Sequence, residues 1–316
     1  MSPNCENKLI VILLLFTVLA CVLTITGCCL PCRQVPLPFP AASPRASPTV
    51  APAPLPAGAC ALEVHFLDVG QGDAMLVKYG NRSMLVDGGP LWAGEEVSSY
   101  LKGQGVERID VLVSTHPDAD HVGGLLTVLE EFPVGVVYDS GIAHPTQTYE
   151  GYLTLIDRKD IPYRTPERGD AIDLGPGLAV QVISPPVGGV AGGGLNEQSI
   201  VLKITYGSTS FLLASDAGFD AEEDMLSSGY DLRSDVLKVG HHGSKYSSST
   251  AFLKAVDPKV GVIEVGNNPY GHPAPEAIAR LEALGSQVYR TDRDGHIVVA
   301  SDGKGIMVAA QRRAPA

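Results

Sequence analysis

The stretch LVSTHPDADHVGGL, Leu112 to Leu125, carries a strand into a helix through a crowd of acids and imidazoles. It continues an apolar, β-branched run that begins at Ile109, the composition of a buried strand. The run stops at His116, Asp118, Asp120 and His121, then passes through Val122-Gly123-Gly124 into a helical pattern. Four side chains able to hold a metal thus fall within six residues. Carboxylates gathered so closely raise one another's pKa and resist ionisation unless a cation neutralises them. The stretch therefore reads as a metal site at the C-terminal end of a strand.

Upstream, strands are expected over Leu62–Val69, Ala74–Lys78 and Ser83–Val86, separated by Gly-rich turns, with Asp87-Gly88-Gly89-Pro90 ending the third. Helices are expected over Glu95–Leu101, His121–Glu131 and Tyr149–Arg158, with strands at Ile109–Ser114 and Val134–Tyr138. The second half repeats this plan. Strands Leu178–Ser184, Ser199–Tyr206 and Thr209–Ala214 precede a helix near Glu222–Leu226, a strand Val236–Val239 and a helix Ser249–Val256. Two halves, each a β-meander with covering helices, predict an α/β protein of two packed sheets with helices outside.

Four separated places end strands in metal-capable groups: His116 to His121, Asn196, Asp216, and His241-His242. Donors collected from several strand ends at one rim suit a catalytic metal, because a rim leaves coordination positions open to water. All six cysteines, Cys5, Cys21, Cys28, Cys29, Cys32 and Cys60, lie in the first 60 residues. A thiolate cage, a cysteine nucleophile and a disulfide framework are thereby excluded from the region beyond, and any metal there rests on His, Asp, Glu or Asn.

With these residues in view, the chain resembles the metallo-β-lactamase superfamily and, within it, the β-lactamase-like domain of the ComEC/Rec2 competence proteins. The resemblance runs from residue 62 to about 308. Its motifs are FLDVGQGDAMLV, LVDGG, STHPDADHVGG, NEQSIVL, LLASDAG, LKVGHHGS, and NNPYGHP followed by YRTDRDGHI. It implies a four-layer αββα sandwich and a dinuclear centre of two divalent ions, Mn or Zn, that activates a hydrolytic water. The family pattern H-x-H-x-D-H places His116 as the first ligand and Asp120 with His121 as a pair on the second metal. Asp118 stands where an imidazole is usual. Asp216 matches the bridging aspartate, His241 or His242 the last histidine ligand, and Asn196 falls near where many relatives carry another His. Two imidazoles replaced by Asp and Asn make one site harder and richer in oxygen, which weakens the case for Zn²⁺ and admits Mn²⁺ or Mg²⁺.

The resemblance also implies roles. Asp120 would orient the water and accept its proton, and His272 would donate to the phosphoryl oxygen or leaving group. Ser244 and Lys245 would neutralise developing charge. Asp68 and Asp73 read equally as turn residues or as supports that orient a ligand, and Asp87 as a support or a turn under the site. The implied substrate is a phosphodiester or other phosphate ester, DNA among them; a binding or scaffold module of competence or envelope machinery is the alternative. The multi-spanning channel of full competence proteins is not matched here.

Residues Leu9–Gly27 carry no charge, behind a head whose one basic side chain is Lys8. The run is about as long as a bilayer is thick. Its end, Ile25-Thr26-Gly27-Cys28, resembles a bacterial lipobox; an uncleaved anchor helix is the other reading. Residues 1–28 are thus expected to be a signal or anchor, and residues 29–60, rich in Pro, Ala and Ser, a semi-stiff spacer. Residues 61–312 form the hydrolase domain. Either reading of the N-terminus puts that domain at the cell membrane on its extracytoplasmic side, lipid-anchored or secreted. Of the chain's 23 basic and 35 acidic residues, Lys8, Arg33, Arg45 and Glu6 precede residue 60, leaving 20 basic against 34 acidic beyond it. So acidic a domain is poorly suited to grip duplex phosphates without regard to sequence.

Overall fold

The computed structural model describes residues 61–312. The expected signal or anchor and the spacer lie outside the described residues. Among those described, no helix is long and apolar enough to cross a membrane.

The first half comprises β1 (Leu62–Phe66), β2 (Met75–Tyr79), β3 (Arg82–Val86), α1 (Gly94–Gly103), β4 (Ile109–Ser114), α2 (Ala119–Val122), α3 (Leu125–Glu131), β5 (Val134–Asp139), α4 (Gln147–Arg158) and β6 (Tyr163–Arg164). The second comprises β7 (Leu178–Ser184), β8 (Val201–Tyr206), β9 (Thr209–Leu213), α5 (Phe219–Ser227), β10 (Val236–Lys238), α6 (Thr250–Val256), β11 (Val260–Ile263), α7 (Pro275–Ala283) and β12 (Gln287–Arg290). A short α8 (Thr291–Asp294) leads to β13 (Ile297–Ser301) and β14 (Ile306–Ala310).

These strands make an eight-stranded sheet, β14-β13-β1-β2-β3-β4-β5-β6, and a six-stranded sheet, β12-β11-β10-β9-β8-β7. Side chains that alternate along the strands fill three apolar layers. In β4, Val111 and Val113 face the space between the sheets, where Phe211 and Leu213 of β9 meet them. Leu112 faces the other way, onto Val97 of α1, Val128 of α3 and Tyr152 of α4. Leu212 and Leu237 likewise face away from the first sheet, onto Met225 of α5, Phe252 of α6 and Leu281 of α7. Strands buried on both faces read as continuous apolar runs, which is why β4 and β9 lack the alternation of a surface strand. The result is the expected αββα sandwich.

Three expectations are corrected. The meander describes only β1-β2-β3 and β7-β8-β9, because β3 to β6 and β9 to β12 pair in parallel. The halves also do not own one sheet each, since β13 pairs antiparallel with β1 and closes the first sheet with the last strands of the chain. The single helix expected over His121–Glu131 is two, α2 and α3, separated at Gly123-Gly124. A Cβ on Gly124 would stand 1.9 Å from the Gly88 carbonyl oxygen. The VGG and DGG motifs are therefore two backbones in contact, and that close approach leaves no room for a continuous, side-chain-bearing helix.

Candidate metal centre

Each sheet changes from antiparallel to parallel pairing at a central strand, β3 in one and β9 in the other. The C-terminal ends of β3, β4, β9 and β10 converge, and the loops leaving them carry the acids and imidazoles. Four residues in these loops, Asp87, Ser215, His241 and His242, hold left-handed backbone with φ between 47° and 57°. Non-glycine residues occupy that region at a cost of about 1 kcal/mol or more each, and only where the surroundings over-determine it. Here the strain turns the side chains inward.

The imidazoles are oriented from behind. His121 Nδ1 lies 2.9 Å from Asp87 Oδ2, and the same carboxylate accepts the Thr115 backbone N–H at 2.8 Å and the Thr115 hydroxyl at 2.7 Å. With its proton given to Asp87, Thr115 Oγ1 accepts from His116 Nδ1, 3.1 Å away. His242 Nδ1 lies 2.9 Å from the Glu264 carbonyl, which can only accept. All three rings thus hold a proton on Nδ1 and turn Nε2, the atom a cation would take, to the same space.

Asp216 sits at the centre of that space. Its Oδ2 is 3.5 Å from His242 Nε2, 3.8 Å from His241 Nε2 and 3.9 Å from His116 Nε2, and its Oδ1 is 3.5 Å from His121 Nε2. Asp120 Oδ2 lies 3.5 Å from His242 Nε2, and Asp118 Oδ2 lies 3.6 Å from His116 Nε2. Asn196 Nδ2 stands 3.2 Å from His241 Nε2. Two ligand atoms about 2.1 Å from one tetrahedral ion stand about 3.4 Å apart, so the carboxylate–imidazole separations suit shared cations. The Asn196 amide N–H hydrogen-bonds His241 in this orientation, and the amide would have to turn to offer its oxygen. The Nε2 atoms of His116, His121 and His242 and Oδ1 of Asp216 are buried without a hydrogen-bond partner. Buried polar atoms are rarely left so, and a convergence of orphaned lone pairs fits a divalent ion.

The electrostatics agree. Burial opposes charge on His121, yet Asp216, Asp73 and Asp87 lift its pKa well above the ordinary imidazole value. His242 behaves alike, lifted against burial by Asp216 and Asp73. Burial also opposes the Asp216 charge, but His242 and His121 hold its carboxyl well below the usual range. The pocket thus demands positive charge, which bound cations would supply in place of protons.

Around Asp216, Asp120 stands by His242, Asp118 by His116 and Asn196 by His241. Both members of the His241-His242 pair face the site. A cleft of about 210 Å³ opens onto it, lined by Asp118, Asp120, Asn196, Asp216, His241 and His242 together with Gln71, Tyr270 and His272. A larger depression, about 510 Å³, lies at the N-terminal end of β10. Its lining charges are paired, Lys203 with Asp231 at 2.8 Å and Lys259 with Asp235 at 2.7 Å, and it gathers no imidazole.

Other expected residues lie elsewhere. Asp73 is fully buried and offers a ligand atom within 4.8 Å of those of His121, Asp216 and His242. Yet it stands on their Nδ1 side, 3.3 Å from His242 Nδ1 and 3.8 Å from His121 Nδ1, so it backs the site and does not face the cleft. Asp68 is drawn into an ion pair with Arg312, and its backbone N–H donates to His296 Nδ1 at 2.9 Å, so it does not support a ligand. The Ser244 hydroxyl is buried and accepts the Tyr246 amide, while the Lys245 ammonium stands 4.8 Å over the Tyr246 ring; neither lines the cleft. His272 does line it, its ring 5.4 Å from that of His241.

Thr115, Glu264, Gln71, Tyr270 and above all Lys238 are the residues that sequence reasoning missed. Lys238 had a legible signal. A lysine inside the apolar strand run Val236–Val239 must either leave the sheet or find a buried acid.

With this geometry in place, comparison with known proteins is specific. Residues 67–266 match the metallo-beta-lactamase superfamily profile. The chain is 30% identical over 256 residues to ComE operon protein 3 of Bacillus subtilis, an alignment covering 74% of this chain and 32% of that protein. It is 32% identical to Competence protein ComA of Neisseria gonorrhoeae, covering 72% and 30% of the two chains. It is 31% identical to Recombination protein 2 of Haemophilus influenzae, covering 75% and 28%. The chain therefore spans about a third of the length of these relatives. Among solved structures, the metallo-beta-lactamase fold protein YhfI from Bacillus subtilis superposes with TM-score 0.53 at 13% identity, covering 76% of this chain and all of that one. The αββα sandwich, the strand-end donors and the profile match agree, and the chain belongs to the metallo-beta-lactamase superfamily.

Proposed function

We propose that this domain is a metal-dependent phosphodiesterase or nuclease that uses two divalent ions and works outside the cytoplasm, tethered at the membrane by its N-terminal segment. The observation that carries the reading is the set of buried, partnerless donors around Asp216 at the floor of an open cleft. A site closed by protein ligands would be structural; one open to a cleft leaves coordination positions for water and substrate. The similarity to competence and recombination proteins favours a phosphate ester, with DNA among the candidates.

His116, Asp118 and His241 would hold one ion, Asp120, His121 and His242 the other, with Asp216 between them and Asn196 at the first group. Bound there, the ions would supply Lewis acidity and a water of lowered pKa. The chain's own groups do the rest. The Asp120 carboxylate stands at the cleft to orient that water and accept its proton, and the His272 ring stands at the mouth to donate to the leaving oxygen. Oxygen donors at Asp118 and Asn196 favour Mn²⁺ at least as well as Zn²⁺.

The acidic domain is unsuited to gripping duplex phosphates, but one exposed ring lines its cleft and another stands outside it, beside the cleft wall. Tyr270 lines the cleft and is 70% exposed, and Trp92, 67% exposed, packs beside Gly70, next to Gln71 of the cleft wall. Bases unstacked from a single strand can lie on such rings where a duplex cannot. These rings support single-stranded nucleic acid as the substrate form.

The test is turnover of bis-p-nitrophenyl phosphate and of a single-stranded oligonucleotide by chelator-stripped protein reloaded with Mn²⁺ or Zn²⁺. Mn²⁺ is expected to restore activity at least as well as Zn²⁺, and Asp120→Ala to lower it about 100-fold or more. Failure to cleave any phosphodiester with either metal would overturn the reading.

A further inference from the structure

Lys238, the last residue of β10, is fully buried behind the metal donors. Its ammonium forms an ion pair with the fully buried Asp73, donates to the Ser215 carbonyl at 2.8 Å, and stands 3.7 Å from Asp216 Oδ1. Burial works against its charge, but Asp73, Asp216 and Glu264 outweigh that and raise its pKa above the ordinary lysine value. Glu264, also buried, accepts the Ala74 amide at 3.1 Å and completes a layer sealed from the cleft.

A bare buried lysine is costly, and an ion pair at such depth is seldom worth more than a well-packed apolar pair. Stability therefore does not account for this one, and its geometry suggests a task. Asp216 must present Oδ2 to His116, His241 and His242 while Oδ1 stays toward His121. A carboxylate between two imidazole groups can rotate about its terminal bond. The buried ammonium 3.7 Å from Oδ1, which attracts it without a hydrogen bond, and its grip on the Ser215 carbonyl one residue away oppose that rotation. The same ammonium neutralises Asp73, which backs His121 and His242 on their Nδ1 side.

We propose that Lys238 is a positioning residue, a fixed internal cation that sets the orientation of Asp216. This rests on the metal-centre reading above, but its test is metal affinity, so it can fail while catalysis stands. Two effects have opposite signs. Removing a positive charge near the donors should tighten cation binding by Coulomb attraction, whereas releasing Asp216 should weaken it.

The double variant Lys238→Met with Asp73→Asn separates them, because it removes both charges of the buried pair and leaves the net field nearly unchanged. It also spares the fold an unpaired buried carboxylate, which Lys238→Met alone would create. Mn²⁺ and Zn²⁺ affinities of stripped protein are measured by calorimetric titration, with melting temperature as the check on folding. The expected result is a folded double variant that binds both metals at least tenfold more weakly than the unaltered chain. Asp73→Asn alone leaves the ammonium unneutralised and is expected to weaken binding by Coulomb repulsion, so the double variant is compared with the unaltered chain. A folded double variant that binds either metal as tightly as the unaltered protein would overturn the proposal, leaving Lys238 only to neutralise Asp73. If the double variant does not fold, Lys238→Gln with Asp73→Asn, which also removes both charges but keeps polar groups in the buried layer, takes its place with the same tenfold criterion.

Discussion

His121 Nδ1 lies 2.9 Å from Asp87 Oδ2, both side chains fully buried, and this contact fixes which nitrogen of the ring can bind a metal. Asp87→Asn would keep the shape but turn an acceptor into a donor. One amide atom must face Thr115 Oγ1 and His121 Nδ1, and an N–H there drives the imidazole to the tautomer with its proton on Nε2. That proton would point at the cation position. Metal affinity is expected to fall by roughly 10- to 100-fold, as found for groups that orient a metal-bound histidine, with the melting temperature of stripped protein little changed. Unaltered affinity by titration would refute this role for Asp87.

The His121 contact also shows what sequence could and could not reveal. LVSTHPDADHVGGL declared its donors by density, and the strand ends at Asp216 and His241-His242 declared theirs by type. Strand identity was legible wherever a run was apolar and bounded by glycine, as in Ile109–Ser114 and Leu178–Ser184, which match the structure residue for residue. Parallel pairing was not legible, because it depends on which strand lies beside which, and neither is β13's return to β1. The misplaced residues failed for a related reason. Asp68 and Ser244 sit in glycine-rich turns near site residues, and the direction in which a side chain leaves such a turn is set by backbone dihedrals that residue type does not declare, as the left-handed His241 and His242 show. Arg312, 244 positions away, then captures Asp68.

Glycine contacts give a second prediction. Gly124→Ala would drive a methyl to within 1.9 Å of the Gly88 carbonyl oxygen, where backbone meets backbone and neither can yield cheaply. A loss of about 3 kcal/mol or more in urea unfolding is expected, the upper range for overpacking. Gly194→Ala, with no atom within 4 Å of the added carbon, should stay within about 0.5 kcal/mol. Equal effects at the two positions would show that the DGG–VGG contact does not govern stability.

Metal removal gives a third. A ligand that binds only the folded state at 100 times its Kd adds about 2.7 kcal/mol. In a domain of this size that corresponds to roughly 5–10 °C in melting temperature. Chelation should lower the transition by that amount, and Asp216→Ala, which removes the central carboxylate, should abolish the difference between loaded and stripped protein. A transition indifferent to EDTA would mean that the donors around Asp216 hold no ion in solution.

The fourth concerns acid and lies away from the metal. His296 is buried against Tyr100, their ring centroids 4.7 Å apart, and its Nδ1 accepts the Asp68 backbone N–H, so the fold requires it neutral. Burial, with Arg312 and His65 nearby, lowers its pKa from 6.5 to about 4. Between those values the unfolded chain binds a proton that the folded chain refuses. Stability from this group is therefore whole above pH 6.5 and is lost as pH falls toward 4, by at most about 3 kcal/mol. Other histidines titrate over the same range, so the informative quantity is the difference between the protein and His296→Gln, whose amide oxygen can still accept from Asp68. Urea unfolding of both across pH 4 to 7 should show the variant losing less stability on acidification. Parallel curves would place the acid sensitivity in other groups and remove His296 from the account.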